Sequence, residues 1–482
     1  MVSLLVLPYL PLLAAIVLVV VRERRLAAEI NVAASAVTLM AGVWLARDVY
    51  VNGSMLVAEG FFFADAFSAY LALITAFISM TTSVFSRRYM AVEQQHGAVG
   101  PKRMRYYHTL FQLFIFTIFV ALLTNSVGIL WIAMEMATLS TVVLVALYRT
   151  PSSIEAAWKY FILCGVGIAQ ALFGTILLYL AAEKVLGEGG EALLWTNLNR
   201  VSHMLDPNIL SPAFVFLMVG YGTKMGLVPV HHWLPDANSE GPPPIALLSG
   251  LLLNVALYAL VRCKVLVDAS LGTNHAGNIM MGFGLLSILV AAFSILRQKE
   301  LKRMFSYSSI EHMGITTFAF GLGGATATFG ALLHMLVHSL AKSSLFFAGG
   351  HAIQMHKSQE ISRIRGLVRG NPIVGWGLMF GVMAIVGMPP FGVFISEFLI
   401  LTATVKGAPY LVPFLVAGLV VAAAALFRRG QSMVMAEVPS YQHPVSVAYV
   451  PIILHVALVL VIGIYIPEFF DRWLKSAVAC LK

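Results

Sequence analysis

Apolar stretches of about 20 residues recur along the whole chain, and this recurrence limits the possible folds more than any other feature. A helix of about 20 apolar residues spans the hydrocarbon core of a bilayer. Only 11% of the 482 residues are charged, against about 25% in ordinary soluble domains. The sequence therefore predicts an all-α polytopic membrane protein with about 14 transmembrane helices. The predicted spans are 2–21, 27–46, 64–86, 108–124, 127–148, 160–181, 212–234, 243–261, 276–296, 304–322, 327–354, 372–403, 410–427 and 445–467.

Lysine and arginine are distributed unevenly between alternate loops. If the N-terminus is outside, the inner loops hold twenty of the 31 Lys and Arg residues, as the positive-inside rule expects. An even number of spans then places both termini on the outer side. The formal charge of +9 follows from these loops and gives no reason to expect nucleic acid binding. The first span has no basic residue before it, so we expect a retained helix and not a signal peptide.

Glycine and proline interrupt two of the predicted spans. The seventh is broken at 226–229 and the twelfth at 387–392. Paired breaks in two halves are typical of transporters built from internal repeats. The breaks predict two five-helix repeats, made of helices 4–8 in residues 107–270 and helices 9–13 in residues 271–430. Helices 1–3 then occupy residues 1–106, and helix 14 lies in residues 431–482.

Two charged residues lie deep within predicted spans. Lys224 interrupts the apolar stretch 212–230, and a lysine at the centre of a spanning helix costs roughly 2.5 to 3.5 kcal/mol. Glu135 lies midway through the fifth span, where desolvation favours the neutral acid unless a cation compensates. We expect the two side chains to pair. A purely structural ion pair is the alternative, although a buried salt bridge is weak evidence for stability.

The eleventh span carries a polar stripe. His334, His338 and Lys342 recur every four residues, so all three project from one face of a helix. Two histidines suggest a metal pair, but there is no HExxH pattern and the adjacent cation opposes metal binding. We interpret the stripe as a relay for protons or water, because histidine both donates and accepts hydrogen bonds, and we predict no metal site.

Other ionisable residues within or beside the spans are secondary candidates. Glu397 is a solitary carboxylate in the twelfth span, which favours a functional role. Glu311 and His312 fit either a local hydrogen-bonded cluster or a functional one. Glu155 and Lys159 stand four residues apart with the acid first, the favourable order for an ion pair on a helix.

These residues suggest a mechanism. At ~7 Å and an effective dielectric of about 20, Glu135 and Lys224 would attract each other by roughly 2.4 kcal/mol. Moving or neutralising Glu135 would release the lysine proton, which could pass through water and the stripe to Glu397. The cysteines, Cys164, Cys263 and Cys480, have no metal-site or disulfide spacing, so the sequence predicts no cofactor in this chain.

The run from Lys224 to Pro242 resembles the signature of the antiporter-like subunits of respiratory complex I, membrane-bound hydrogenases and Mrp cation/proton antiporters. The resemblance extends from about Asp65 to Glu397. It implies fourteen helices, two inverted five-helix repeats with broken helices 7 and 12, and a hydrated polar axis. It assigns Glu135 and Lys224 as a coupled pair, Lys342 or the nearby histidines as a relay, and Glu397 as the terminal acid. His231 and Asp236, within the signature, are auxiliary candidates.

One position departs from the family pattern. The eighth span has Asn254 where the family carries lysine or histidine. An asparagine can hold water but cannot carry the proton. We therefore expect another group to compensate, and Glu311 and His312 are the candidates.

Three segments are most similar to component F of the hydrogenase-4 and formate hydrogenlyase group: Trp131–Ser140, Tyr148–Tyr160 and Ser309–Gly314. This similarity implies a proton-translocating membrane subunit of a redox-driven complex in a prokaryotic cytoplasmic (inner) membrane. Its partners would be other membrane subunits and a cytoplasmic hydrogenase-like arm that carries iron–sulfur clusters, with or without a nickel–iron site. The alternatives are a subunit of an Mrp-type Na+/H+ antiporter, the membrane partner of an inorganic-carbon uptake system, and a scaffold that conducts nothing.

Overall fold

The computed structural model describes residues 2–21, 23–437 and 443–481, apart from the side chains of residues 24 and 247–249. This part of the chain is almost entirely helical, with one short antiparallel hairpin of β1 (Met55–Val57) and β2 (Phe62–Ala64). The helices are α1 (Val2–Val20), α2 (Arg24–Asn52), α3 (Ala66–Gln95), α4 (Pro101–Leu123), α5 (Val127–Val145), α6 (Pro151–Leu186), α7 (Trp195–Arg200), α8 (Pro207–Met225), α9 (Trp233–Glu240), α10 (Pro243–Leu271), α11 (His275–Ile295), α12 (Leu301–Leu322), α13 (Gly324–His356), α14 (Leu367–Gly370), α15 (Pro372–Ile385), α16 (Gly392–Gly407), α17 (Val412–Met435), α18 (Tyr449–Ile464) and α19 (Glu468–Ala479).

Each predicted span falls on a helix or on a broken pair of helices. The seventh span is α8 followed by α9, and the twelfth is α15 followed by α16. Among the described residues, ten helices are long and apolar enough to cross a membrane by themselves, or eleven spans if α18 and α19 count as one. The other predicted spans fall short in length or in apolar character, so fourteen stays an approximate number.

The helices extend beyond the apolar windows from which they were predicted. α4 begins at Pro101 and α17 ends at Met435, so the predicted segment boundaries at 106 and 430 lie inside helices. The reason is physical: a helix keeps its backbone hydrogen bonds when it leaves the hydrocarbon core, while its side chains become polar. The assignment of helices 4–8 and 9–13 as two inverted repeats stays a prediction.

Glycines hold the helices that carry the polar residues close to their neighbours. A Cβ added at Gly220 of α8 would lie 2.6 Å from the Cβ of Ala171 on α6. A Cβ at Gly284 of α11 would lie 2.7 Å from the carbonyl oxygen of Gly314 on α12. Small residues at such contacts are the usual basis of helix packing in membranes. α8 and α12 are therefore held in place by backbone-to-backbone approach.

α10 and α13 form the centre of the molecule. Their most apolar windows are 93% and 94% buried, whereas the corresponding window of α17 is 28% buried. The polar residues within these two windows therefore lie almost entirely inside protein and not against lipid. At the end of the chain, α19 turns 83° away from α18 and crosses the start of α3, where Trp473 Nε1 donates to the Ala66 carbonyl at 2.9 Å.

A buried ion pair joins the start of α3 to α10. Arg262 Nη2 lies 2.7 Å from Asp65 Oδ1, and both side chains are less than 5% exposed. Asp65 also caps α3 by accepting from the backbone N–H of Ser68. The Arg262 guanidinium lies 4.3 Å from the Trp195 ring centroid and 5.0 Å from that of Tyr258. This pair connects α3, α7 and α10 at one end of the bundle.

Candidate functional site

Lys224 and Glu135 are in direct contact. Lys224 Nζ lies 3.0 Å from Glu135 Oε2, closer than the ~7 Å considered from the sequence. The lysine also donates to the Thr138 hydroxyl, one turn further along α5. The Lys224 side chain is completely buried, while that of Glu135 is 23% exposed. The lysine is therefore enclosed within the protein, and the carboxylate lies at the surface of the subunit.

The break after α8 positions this lysine. Lys224 lies in the last turn of α8, which Gly226 ends in the left-handed conformation at φ 70°. A Cβ at Gly226 would lie 2.8 Å from Leu234 Cδ2, so glycine also allows α9 to fold back closely. Trp233 Nε1 donates to the Thr223 carbonyl at 2.7 Å, and its ring stacks on Tyr160 at 4.4 Å between centroids. The same carbonyl accepts from the backbone N–H of Gly226 at 3.0 Å, so Trp233 ties α9 to the capped end of α8.

Asp236 on α9 bonds to cations from two other helices. Its Oδ2 lies 3.3 Å from Lys159 Nζ on α6, and its Oδ1 lies 2.8 Å from Arg303 Nη1 on α12. Lys159 also pairs with Glu155 at 2.7 Å, as the spacing predicts, but this pair is half exposed or more. Of Glu155 and Lys159, only Lys159 also bonds to Asp236 on α9.

His231 lies in the break between α8 and α9. It is 5% exposed, its ring centroid lies 4.2 Å from that of His232, and it lies 6.1 Å from the Tyr307 ring on α12. Its Nδ1 is buried without a hydrogen-bond partner among the described residues. The ring therefore stands between the end of the Lys224 helix and α12.

Three buried histidines form a second group, which we call the histidine cluster: His312, His334 and His338. Each is less than 5% exposed. His312 Nδ1 lies 2.9 Å from His334 Nε2, and the rings of His312 and His338 stack with centroids 5.0 Å apart. The helical spacing predicts His334 and His338 on one face, and their rings are nearly parallel at 8°. His312 joins them from α12.

The Ser396 hydroxyl determines the direction of the hydrogen bonds in the cluster. Ser396 Oγ donates to the Val393 carbonyl at 2.8 Å and lies 2.9 Å from His334 Nδ1. A hydroxyl has one hydrogen, so it accepts from His334 Nδ1–H. Neutral His334 then presents the lone pair of Nε2 to His312 Nδ1–H. The cluster thus contains an ordered donor chain from His312 through His334 to Ser396.

Glu397 reaches the same cluster. One carboxylate oxygen of Glu397 and ring nitrogens of His312 and His334 all lie within 4.8 Å of one another. The carboxylate also lies against the second helix break, because a Cβ at Gly387 would be 2.2 Å from Glu397 Oε2. The break between α15 and α16 therefore holds the carboxylate, as the break after α8 holds Lys224.

Lys342 lines a small cavity, and Asn254 lies beside that cavity through its bond to Ser339. Lys342 Nζ donates to the Phe305 carbonyl at 2.7 Å, and Asn254 Nδ2 donates to Ser339 Oγ at 2.9 Å. The cavity has a volume of about 20 Å³ and is lined by His338, Ser339 and Lys342, among others. That volume has room for one water molecule with several polar partners.

Several buried polar atoms near this cavity have no protein partner among the described residues: Asn254 Oδ1, Glu311 Oε2 and His338 Nε2. Buried polar groups are nearly always hydrogen-bonded to protein or to water. These atoms therefore indicate a hydrated interior. Glu311 is 3% exposed and directly precedes His312, the member of the histidine cluster on α12.

His312, His334 and Glu397 are also the described residues that could hold a metal ion. Two histidines and a carboxylate form a common zinc ligand set. Both ring nitrogens of His334, however, already form hydrogen bonds, to His312 and to Ser396, so a bound ion would displace one of them. The cluster as it stands is bonded internally and fits the transfer of protons.

The structure divides the predicted residues into two groups. Glu135, Lys224, Lys159 and Asp236 lie around the first break, and the second group contains Asn254, Glu311, His312, His334, His338, Lys342 and Glu397. Among the described residues, no direct hydrogen bond joins Lys224 to the second group. α10, which carries Asn254 of the second group, packs on both α8 and α13.

Sequence reasoning missed the hydroxyl partners. Thr138, Ser339 and Ser396 each bond to a charged or polar group of the site. Only the helical spacing gives a signal for one of them: Thr138 is three residues after Glu135. Arg303, which pairs with Asp236, directly precedes the predicted tenth span, and the sequence gives no signal for this pair.

Residues 124–426 match the family described as NADH:quinone oxidoreductase/Mrp antiporter, TM. The Hydrogenase-4 component F homolog of Methylacidiphilum infernorum (isolate V4) is 47% identical over 423 residues, which cover 88% of this chain and 89% of that protein.

Solved structures share the fold over the whole length. A chain of the membrane-bound sulfane sulfur reductase, an archaeal respiratory membrane complex, has a TM-score of 0.89 at 26% identity and covers 100% of this chain and 97% of its own. A chain of the Mrp complex from Dietzia sp. DQ12-45-1b has a TM-score of 0.86 at 17% identity, with 99% and 97% covered. The latter likeness shows the fold alone.

Proposed function

Because this chain belongs to the NADH:quinone oxidoreductase/Mrp antiporter transmembrane family, as a proton-translocating antiporter-like subunit, we propose that it moves protons between the Glu135–Lys224 pair and the histidine cluster. The resemblance found in the sequence and the predicted all-α polytopic membrane fold are confirmed. The contact of Lys224 with Glu135 is the observation that supports the proposed pathway most strongly.

The Glu135–Lys224 pair acts as the switch. At 3.0 Å the attraction is roughly 5 to 6 kcal/mol for an effective dielectric of about 20, against roughly 2.4 kcal/mol at ~7 Å. Separating the two groups to that distance would therefore remove roughly 3 kcal/mol of this attraction. Neutralising Glu135 would also remove this attraction. A modest movement at the carboxylate thus changes whether the buried lysine keeps or gives its proton.

The histidine cluster receives and passes the proton. A proton that arrives from the water-sized cavity reaches His338 or Lys342, both of which line it. His312 and His334 share a 2.9 Å contact, so a proton can move along this bond, and Glu397 lies within reach as the final acceptor. Asn254 serves as a holder of water and not as a carrier, because its amide oxygen faces no protein donor among the described residues.

The parent assembly in this proposal is a hydrogenase-4-like, redox-driven complex. Identity of 47% to a hydrogenase-4 component F homolog supports this assignment. Neither the antiporter alternative nor the inorganic-carbon uptake alternative is favoured.

The chain works beside other membrane subunits, as the similar chains of multi-subunit membrane complexes indicate. The edge position of Glu135 supports a subunit contact there: the carboxylate is partly exposed between Ile132 and Met136, which are 49% and 42% exposed. A charge facing lipid would be costly. We propose that a neighbouring membrane subunit covers this face.

The redox chemistry in this proposal belongs to partners. A cytoplasmic hydrogenase-like arm would carry iron–sulfur clusters, with or without a nickel–iron site, while this chain holds no cofactor. The protein is an integral multi-pass membrane protein. The excess of basic residues in alternate loops supports a prokaryotic cytoplasmic membrane with both termini on the outer side. Copurification of the tagged chain, followed by iron and nickel analysis, tests for the arm.

The decisive test of the pathway is Lys224→Ala in the complete complex, reconstituted in vesicles that contain a pH-sensitive dye. We expect redox-driven proton translocation to be lost while the complex still assembles, because the switch lacks its proton carrier. The matched control is Lys264→Ala, which removes a lysine paired with Asp268 outside the two groups. Translocation at the wild-type rate in Lys224→Ala would disprove the proposed pathway.

A further inference from the structure

An apolar groove opens on the surface where α4, α5 and α6 meet. Its volume is about 570 Å³, within the range of small-molecule sites. Leu110, Leu139, Val142, Val143, Ile154 and Trp158 are among its lining residues. Leu139, Val143 and Trp158 are 46%, 52% and 59% exposed, so the groove faces the surroundings of the chain. We call it the α4–α6 groove.

Two arginines border this apolar surface. Arg103 lies in the first turn of α4, where its Nη1 donates to the Leu147 carbonyl at 2.9 Å and to the Tyr148 carbonyl at 3.2 Å. These bonds fix the guanidinium at the groove and leave further N–H donors for an anion. Arg149 is exposed, directly after the end of the turn that follows α5.

The positive charge at the border is not neutralised within the chain. Neither arginine forms an ion pair with a carboxylate among residues 2–21, 23–437 and 443–481. Lys102 and Arg105 lie within two residues of Arg103 in α4. They add further positive charge, and neither forms an ion pair with a carboxylate of the described residues. The groove therefore combines a surface that fits hydrocarbon with a border that attracts an anion.

We propose that the α4–α6 groove binds an anionic phospholipid. An acyl chain lies along the apolar lining, and the phosphate bonds to Arg103 and Arg149. The ends of α4, α5 and α6 at this groove carry basic residues and belong to the side assigned to the cytoplasm, where anionic lipid headgroups meet basic pockets between helices. This inference does not depend on the proposed pathway of protons.

The position of the groove links the lipid to the pathway helices. Leu139 and Val143 follow Glu135 on α5 at intervals of four residues, and therefore lie on the same face. Trp158 precedes Lys159 on α6. Leu139 and Val143 lie one and two turns beyond Glu135, so a bound acyl chain packs against α5 and α6 beside the part of this face that a neighbouring subunit covers at Glu135.

The first test measures lipid retained by the purified complex with native mass spectrometry after titration with phosphatidylglycerol or phosphatidylcholine. We expect a preference for phosphatidylglycerol that Arg149→Gln lowers about fivefold, the effect of one basic residue near a membrane surface. The matched control is Arg369→Gln, which removes an exposed arginine outside the groove and should change nothing. Equal binding of both lipids, or an equal effect of both variants, would refute the proposal.

The second test fills the groove and identifies its occupant. Val143→Trp should displace the retained lipid, whereas Val166→Trp, at an exposed position of α6 that does not line the groove, should not. A photoactivatable residue at position 143 of the complete complex should label phospholipid. Labelling of a partner subunit alone would show that protein occupies the groove and would overturn the lipid assignment.

Discussion

The Ser396 hydroxyl is a small group with a specific role in the histidine cluster. It accepts from His334 Nδ1 at 2.9 Å and thereby selects which nitrogen of His334 faces His312. Without this acceptor, His334 could adopt either neutral tautomer, and only one of them continues the donor chain. The hydroxyl thus orders the ring without touching Lys224 or Glu135.

Replacing Ser396 with alanine should slow proton translocation. The loss of one hydrogen bond is worth about 1 kcal/mol, or roughly a fivefold lower initial rate in reconstituted vesicles. Assembly, measured by copurification of the partner subunits, should be unchanged. Thr404→Val is the control on the same helix, since the Thr404 hydroxyl donates to the Ile400 carbonyl of that helix and not to a residue of the site. Equal slowing in both variants would contradict the ordering role.

At this scale, the sequence indicates charged groups better than hydroxyl groups. Lys224, Glu135 and Glu397 stand out because a charge is costly in an apolar helix. Thr138 and Ser396 do not stand out, since serine and threonine can bond to the carbonyl four residues earlier and are common in membrane helices. The partners of the pathway therefore emerge only when the helices are brought together.

The two helix breaks have the same role in the two groups of the site. At the first, Gly226 ends α8 directly after Lys224, and at the second, Gly387 leaves room for the Glu397 carboxylate. Glycine and proline predict both breaks from the sequence. The contact between Gly387 and Glu397 is not predictable, because it depends on how α16 folds back against the break.

Gly387→Ala should impair translocation through this contact. The backbone at Gly387 has φ +67°, so alanine costs about 1 kcal/mol or more in stability. In addition, its Cβ would collide with Glu397 Oε2 and displace the carboxylate. Gly272→Ala, at φ +63° with nothing within 4 Å, introduces the same backbone strain alone. The thermal unfolding midpoint should fall in both variants, whereas the rate of proton translocation should fall only in Gly387→Ala. Equal translocation rates in the two variants would contradict the proposed collision with Glu397.

The ends of the helices are harder to predict from hydropathy than their positions along the chain. Apolar windows end where charged residues begin, but α6 runs from Pro151 to Leu186 and passes both ends of its window, 160–181. Hydrogen bonding of the backbone continues into the interface, and hydropathy does not register it. This extension brings Lys159 within 3.3 Å of Asp236, so the second ion pair of Lys159 was missed.

A buried charge pair that belongs to neither group of the site joins two helices of the bundle. Asp65 and Arg262 join α3 to α10, the helix at the centre of the molecule. Removing one partner from a buried pair leaves the other charge uncompensated, which costs roughly 3–5 kcal/mol. The interaction of Arg262 with the surrounding aromatic rings does not replace the carboxylate.

Asp65→Asn tests this cost, because asparagine keeps the oxygen that caps α3 and removes only the charge. We expect a marked fall in the thermal unfolding midpoint of the purified protein. The control is Asp471→Asn, which breaks an exposed pair with Lys475 and should cost at most about 1 kcal/mol. If the two midpoints fell by the same amount, Asp65–Arg262 would be no more important than a surface pair.

Asp236 holds α6 and α12 at once, one from each predicted repeat, through Lys159 and Arg303. α6 contacts the helix of Glu135, and α12 carries Glu311 and His312. The short helix α9 is therefore bonded to both halves of the molecule. A shift of α6 must therefore either stretch the ion pair between Asp236 and Arg303 or move α12 as well. The motions of the two halves are coupled through Asp236.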